Sequence, residues 1–172
     1  MKNFTFLLKM RVLIILSILL STNVISQTCE STVISFPYNE GFETNIGGWI
    51  QGANGSADDI DWTIDDAGTP SANTGPDSGN SSTWYIYTEA STVNTTPPGS
   101  PDMVANLESP CFDLTGISNP FFTFDYHMYG GNMGTLNIDI STNNGTSYTT
   151  TPVWTISGNQ GNLWNSGSVD LS

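Results

Sequence analysis

Five aspartates close together are the residues of this chain best suited to metal chemistry. Carboxylate oxygens that are close in sequence suit calcium, a hard cation that takes six to eight oxygen ligands. The spacing lacks the alternating Asp-x-Asp-x-Asp-Gly order of an EF-hand loop, so a solvated acidic loop explains the same residues. The aspartates are Asp58, Asp59, Asp61, Asp65 and Asp66.

Catalytic groups are scarce. His127 is the only imidazole, and neither a Gly-x-Ser-x-Gly elbow nor a His-Glu-x-x-His helix is present. We interpret His127 as a structural histidine. Asp125 and Asp139 are the only mid-strand acids available as a glycosidase pair, and nothing in the sequence places them opposite one another. The sequence therefore predicts no enzyme activity.

One short motif has two interpretations. Ser141, Asn143, Gly145 and Tyr148 are similar to an Asp-box, with Asn, Ser and Tyr replacing its Asp, Thr and Trp. A hairpin turn on Asn144-Gly145 explains the same residues, and we prefer it because Asn-Gly is favoured in two-residue hairpin turns.

Charge divides the chain into two unequal parts. Lys2, Lys9 and Arg11 are its only basic residues, and they precede an apolar run at residues 12–20. This order predicts a secretory signal peptide over residues 1–26, since the run is too short to span a bilayer. After its removal no Lys or Arg remains, and all 16 carboxylates give a net charge of −16. Such a charge excludes nucleic acid and anionic membranes as partners. No membrane insertion is expected once the signal peptide has been cleaved.

The two cysteines, Cys29 and Cys111, would enter an oxidising compartment. An even count there predicts one disulfide between them, with free or intermolecular thiols as the alternative.

Period-two hydrophobicity bounded by Gly, Pro, Asn and Ser predicts strands and no helix in the mature chain. Phe122, Phe124, Tyr126 and Met128 alternate with polar residues and give the clearest strand. The fold class is therefore all-β, a sandwich of short strands joined by long loops. The predicted strands cover residues 33–36, 84–88, 103–108, 121–128, 136–141, 153–156 and 163–171.

An ordered series of motifs resembles the MAM domain. It begins with Phe42-Glu43 and Gly48-Trp49, continues through Asp61-Trp62, and includes the run Tyr126 to Gly130. It ends with Gly158, Gln160-Gly161 and Trp164. The resemblance divides the chain into a signal peptide at 1–26, a lead-in at 27–35 and a MAM-like domain at 36–172.

The resemblance implies a jelly-roll-like antiparallel β-sandwich of the concanavalin A-like type. It also implies that the domain stops before its closing strand, and the cysteine positions resemble those of bacterial secreted members. By resemblance, Glu43 and Asp61 would bind a structural calcium ion together with an acid from that closing strand.

The function implied is a non-catalytic recognition or adhesion module, secreted or at the cell surface. Its expected partners are extracellular proteins or glycans, and self-association is a further expectation. The alternative is an accessory domain of a larger secreted hydrolase, a metalloprotease or glycanase.

Overall fold

The computed structural model describes residues 32–53, 58–90 and 103–172. Every regular element within these ranges is a β-strand, so the all-β prediction is confirmed. The strands are β1 (Thr32–Val33), β2 (Ile50–Gln51), β3 (Thr63–Asp65), β4 (Tyr85–Tyr87), β5 (Leu107–Glu108), β6 (Cys111–Phe112), β7 (Phe121–His127), β8 (Thr135–Ile138), β9 (Trp154–Ser157) and β10 (Trp164–Asp170).

The strands form five pairs, and four of them are antiparallel. These are β2 with β5, β3 with β4, β7 with β10, and β8 with β9. The short pair of β1 with β6 is parallel, an exception to the antiparallel prediction. Each of these two strands has only two residues, and the two strands are far apart in the sequence.

The pair β7–β10 is the longest and follows the predicted alternation. Its register matches seven residues on each side, from Phe121 opposite Asp170 to His127 opposite Trp164. Phe122, Phe124 and Tyr126 are half-buried, whereas Thr123 and Asp125 on the other face are exposed. One apolar face and one polar face are typical of a strand packed on one side only.

Aromatic side chains form most of the inner face of β7. The Phe124 ring lies 4.9 Å from Trp154 of β9 and 5.2 Å from Phe122. Tyr126 also contacts Trp154, at 5.3 Å. The two edge contacts to Trp154 join the β7–β10 pair to the β8–β9 hairpin, which is a separate strand pair.

Tyr85 of β4 packs against the start of β10, where its ring centroid lies 6.4 Å from that of Trp164. Tyr85, Met128 and Val169 are the buried apolar residues of the described chain. The Tyr85 hydroxyl donates to the Pro76 carbonyl and accepts from the Gly68 N–H, which anchors the loop at residues 68–76 to β4. Burial raises the pKa of Tyr85 above its usual range.

Candidate recognition surface

Strands β2 and β5 present an outer face that carries both apolar and acidic residues. Ile50 lies directly opposite Glu108 in this pair. The pairing extends along the segment before β5, where the Asp59 N–H donates to the Val104 carbonyl at 2.8 Å. Ile50 is 47% exposed and Val104 is 50% exposed.

The opposite face of these strands is tied to the segment that precedes β3. The Gln51 side chain accepts from the Trp62 N–H at 2.6 Å and donates to the Trp62 carbonyl at 2.8 Å. The Trp62 indole N–H donates to the Ala105 carbonyl. Since side chains alternate along a strand, these inward contacts leave Ile50, Val104 and Glu108 on the outer face.

Tyr148 is an exposed aromatic residue that is affected by the charge of Glu108 on this outer face. Its side chain is 40% exposed. Burial, followed by the negative charge of Glu108 and hydrogen bonding to it, raises the pKa of Tyr148 to about 12. We call Ile50, Val104, Glu108 and Tyr148 the β2–β5 face.

The hairpin between β8 and β9 positions Tyr148. Asn144 and Gly145 both have positive φ, 59° and 73°, and the Thr146 N–H donates to the Asn143 carbonyl. This is the hairpin turn preferred from the sequence, and it is confirmed. The Thr149 N–H donates to the Ile140 carbonyl at 2.9 Å, which pairs the two arms of the hairpin. Tyr148 directly precedes Thr149 in the returning arm.

The Asp-box pattern describes the same loop. The Ser141 hydroxyl donates to Asn143 Oδ1 at 2.8 Å and accepts from the Gly145 N–H at 2.9 Å. Asn143 Oδ1 also accepts from the Ser147 N–H at 3.0 Å. The two interpretations are therefore compatible, because side-chain hydrogen bonds of the box stabilise the turn of the hairpin.

The acidic cluster is partly structural. Asp58 is only 6% exposed, and its Oδ2 accepts from the Asn106 N–H at 2.8 Å. Asp59 Oδ2 accepts from the Val104 N–H, and Asp65 Oδ1 accepts from the N–H groups of Asp66 and Ala67. A side chain on Gly52 would overlap the Asp58 carboxylate, so glycine is needed there. The alternative interpretation, a solvated acidic loop, does not hold for Asp58, since its buried carboxylate accepts from a backbone N–H.

His127 is a packing residue in the structure, as predicted. Its ring contacts Trp164 at 5.6 Å and Tyr129 at 6.5 Å, and its Nε2 lies 3.0 Å from Asn162 Oδ1. Its Nδ1 is buried without a hydrogen-bond partner. Among residues 32–53, 58–90 and 103–172, no serine, cysteine or carboxylate is hydrogen-bonded to the imidazole.

The candidate glycosidase acids belong to different strand pairs. Asp125 on β7 accepts from the Asn80 amide at 2.8 Å and from the Ser166 hydroxyl at 2.6 Å. Asp139 follows β8 and accepts from the Thr149 hydroxyl at 3.3 Å. Each carboxylate is thus hydrogen-bonded to neutral side chains, and within the described residues no hydrogen bond links the two acids to a common group.

Comparison with known proteins decides the family. The model of the MAM domain, named for meprin, A5 and mu, matches residues 41–172. This chain belongs to the MAM family. Neuropilin-1a of Danio rerio is 36% identical over 129 residues, which cover 71% of this chain and 12% of that protein.

The names of two further relatives include the MAM domain. The MAM domain-containing glycosylphosphatidylinositol anchor protein 1 of Gallus gallus is 34% identical over 122 residues, or 67% of this chain and 12% of that protein. Protein 2 of the same name from Homo sapiens is 33% identical over 129 residues, or 66% and 13%. The chain thus spans about an eighth of the length of these relatives.

The MAM assignment confirms a β-sandwich of the jelly-roll type, a non-catalytic module and an extracellular or cell-surface location. These relatives are animal proteins, and the comparisons do not support the narrower prediction of a bacterial, truncated member. In the part of the chain that the structure describes, no helix is long and apolar enough to cross a membrane.

The predicted calcium ligands are both at the surface of the MAM domain. Glu43 lies in the bend after Phe42, and Asp61 precedes Trp62; both side chains are exposed. Within residues 32–53, 58–90 and 103–172, no three His, Cys, Asp or Glu side chains come together as a metal site. The two carboxylates would therefore need further ligands, and calcium binding stays a prediction.

The predicted disulfide and signal peptide involve residues outside the described ranges. Cys111 begins β6 and is not a free thiol in the structure. Cys29 and the segment 1–26 lie outside the described residues. The Cys29–Cys111 pairing, the signal peptide and the lead-in boundary stay predictions.

Proposed function

We propose that this MAM domain binds extracellular proteins or glycans as a recognition and adhesion module and leaves them chemically unchanged. The observation that carries the proposal is the family match over residues 41–172. The names of the relatives support it, since two of them are called glycosylphosphatidylinositol anchor proteins, which are held at the cell surface. The hydrogen bonds of His127, Asp58 and Asp125 also support a module without catalytic activity. Each of these side chains is bonded to a neutral group of the fold.

The charge of the domain limits what it binds. Without residues 1–26 the chain has 16 carboxylates and no Lys or Arg, so its field attracts cationic surfaces and repels anionic ones. Two copies of the domain repel each other at low ionic strength for the same reason. Self-association therefore requires salt or divalent cations to screen the charge, and a basic partner is favoured over a second copy.

The modular setting also supports recognition. In the relatives the matched region is about an eighth of a longer protein. The predicted alternative, an accessory domain beside a secreted hydrolase, stays a prediction about the rest of the protein.

An adhesion assay tests the proposal. Beads coated with the exported chain are incubated with cells, and binding is compared with beads coated with the same chain after thermal unfolding. We expect saturable adhesion only with the folded chain, at a level that falls when protease or glycosidase removes the target from the cells. The enzyme that abolishes adhesion identifies the target as protein or glycan. Equal adhesion of folded and unfolded chain would contradict the proposal.

A further inference from the structure

The tip of the β8–β9 hairpin has an asparagine followed directly by glycine, a pair that reacts spontaneously in water. Asn144 and Gly145 are the central residues of the turn, with φ of 59° and 73°. Asn144 is exposed and Gly145 is half-buried. In the described part of the chain, the side-chain hydrogen bonds of this loop leave the Asn144 amide free. They involve Ser141, Asn143 and Ser147 instead.

We propose that Asn144 is a site of spontaneous deamidation and that the Ser141 side chain controls its rate. The Gly145 backbone nitrogen attacks Asn144 Cγ and forms a new C–N bond, and the side-chain nitrogen leaves with the displaced proton as ammonia. The product is a cyclic succinimide. A water molecule then opens the ring at either carbonyl carbon and leaves aspartate or isoaspartate at position 144. Water is the only co-reactant, and neither step oxidises or reduces the chain.

Gly145 makes this asparagine the most reactive of those that the structure describes. Glycine has no Cβ, so its nitrogen is unhindered and its backbone rotates freely. Of the two Asn-Gly pairs in the sequence, Asn54-Gly55 lies outside the described residues. Asn80, by contrast, precedes a serine, and its amide donates to Asp125 at 2.8 Å. Asn144 therefore combines a glycine neighbour with an unrestrained amide.

The Ser141 hydroxyl holds the nitrogen that must attack. It accepts from the Gly145 N–H at 2.9 Å and donates to Asn143 Oδ1 at 2.8 Å. The succinimide nitrogen has no hydrogen, so the ring closes only after the bond to Ser141 has broken. Loss of one hydrogen bond of ordinary strength changes such an equilibrium about fivefold.

The loop is open to this reaction because of the turn that it makes. A two-residue hairpin turn with positive φ at both central residues favours Asn-Gly. The residues that suit the turn are therefore the residues that deamidate readily, and Ser141 compensates by holding the turn closed. The Asp-box pattern thus has a chemical role in addition to stabilising the turn.

Deamidation changes the hairpin in two ways. Aspartate adds one negative charge to a domain that has 16 carboxylates and neither Lys nor Arg after residue 11. Isoaspartate also inserts its Cβ methylene into the backbone, which lengthens the turn and disturbs the pairing of the Thr149 N–H with the Ile140 carbonyl. The inference goes beyond the proposed recognition function and does not depend on it, since the chemistry uses this chain and water alone.

Incubation of the full exported chain in warm neutral buffer tests the inference. The chain is produced in a host without N-glycosylation, because Asn144-Gly145-Thr146 is also a sequon. Peptide mapping by mass spectrometry measures conversion at Asn144, and fragmentation distinguishes isoaspartate from aspartate. We expect slow conversion at Asn144 in the folded chain and faster conversion in the same chain unfolded in urea.

Matched serine variants separate the Ser141 hydrogen bond from general loosening of the loop. Ser141→Ala should deamidate Asn144 about fivefold faster than the parent chain does. Ser147→Ala removes a hydroxyl of the same loop that accepts from the Asn143 amide and not from Gly145. Its rate should stay within about twofold of that of the parent chain.

No conversion at Asn144 in the folded parent chain would overturn the inference. So would equal rates in Ser141→Ala and Ser147→Ala, because the Ser141 hydroxyl would then have no special effect. Asn80 reports global unfolding, which would free its hydrogen-bonded amide. A parallel rise at Asn80 and Asn144 in Ser141→Ala would overturn control by the Ser141 hydrogen bond, since the variant would be unfolding as a whole.

Discussion

Asp58 illustrates at the scale of one residue how the acidic composition acquires structural roles. Five neighbouring aspartates look equivalent in sequence, yet only Asp58 is buried, where it accepts from the Asn106 N–H 48 positions away. A long-range backbone contact of this kind leaves no local signature. The chemistry of the cluster was predictable, whereas the choice of its buried member was not.

Replacement of Asp58 by alanine should destabilise the domain by about 1.5–3 kcal/mol, because it removes the hydrogen bond from the Asn106 N–H to a buried, charged acceptor. Urea denaturation of the exported chain measures the change. Asp77→Ala in an exposed loop is the control and should stay within about 0.5 kcal/mol of the parent. Equal losses would show that the Asp58 hydrogen bond has no special role.

Tyr148 gives a prediction for alkaline pH. Its pKa rises from 10.0 to about 12 on folding, so the folded state holds a proton that the unfolded state releases. The resulting stability is fully present below pH 10 and is lost as pH rises from 10 to about 12. Tyr148→Phe should therefore have a shallower loss of stability over this interval.

Phenolate absorbance gives an independent measurement of the same group. Subtraction of the Tyr148→Phe titration removes the signals of Tyr38, Tyr85 and Tyr87, whose pKa values burial also raises. Glu108→Gln should lower the apparent pKa of Tyr148 but leave it above 10, since burial is the larger cause. Equal apparent pKa values of Tyr148 in the parent chain and in Glu108→Gln would contradict an effect of Glu108 on Tyr148.

At the scale of elements, long alternating strands were predictable and short ones were not. The strand predicted at residues 121–128 is β7, and the prediction at 163–171 contains β10. Strands β2, β3 and β6 were missed, because two or three residues are too few for a period to be recognised. The strand predicted at 33–36 overlaps β1 only at Val33, where β1 ends.

The pair β7–β10 depends on a glycine opposite a ring. Gly167 faces Phe124, and a Cβ there would overlap the end of the Phe124 ring, which Phe122 and Trp154 hold in place. Gly167→Ala should therefore cost about 1–3 kcal/mol by overpacking. Gly134→Ala is the matched control, because a Cβ at Gly134 meets open space. Thermal melts compare the two, and equal midpoints would contradict this packing.

For the whole molecule, the family and location were predictable because the MAM motifs are spread along the entire domain. The surroundings of Tyr148 were not, since Glu108, which raises its pKa, comes from a separate segment of the chain. Individually they are an acid and a tyrosine of the kind found on many surfaces.

Calcium is a whole-molecule prediction, because a divalent ion would offset part of the unbalanced negative charge. If Glu43 and Asp61 help to bind it, calcium should raise the melting temperature above that in chelator, and Asp61→Asn should remove most of the increase. Asp77→Asn is the control and should keep it. Equal midpoints with calcium and with chelator would exclude a structural calcium ion.

The central claim is that this MAM domain binds another extracellular molecule through charge and does not transform it. The most direct measurement is the binding isotherm of the labelled exported chain on cells over a series of salt concentrations, with mass spectrometry of the recovered target. We predict saturable, reversible binding that weakens as salt screens the acidic surface, and a target recovered intact. Binding that is insensitive to salt, or a target recovered cleaved, would contradict the account.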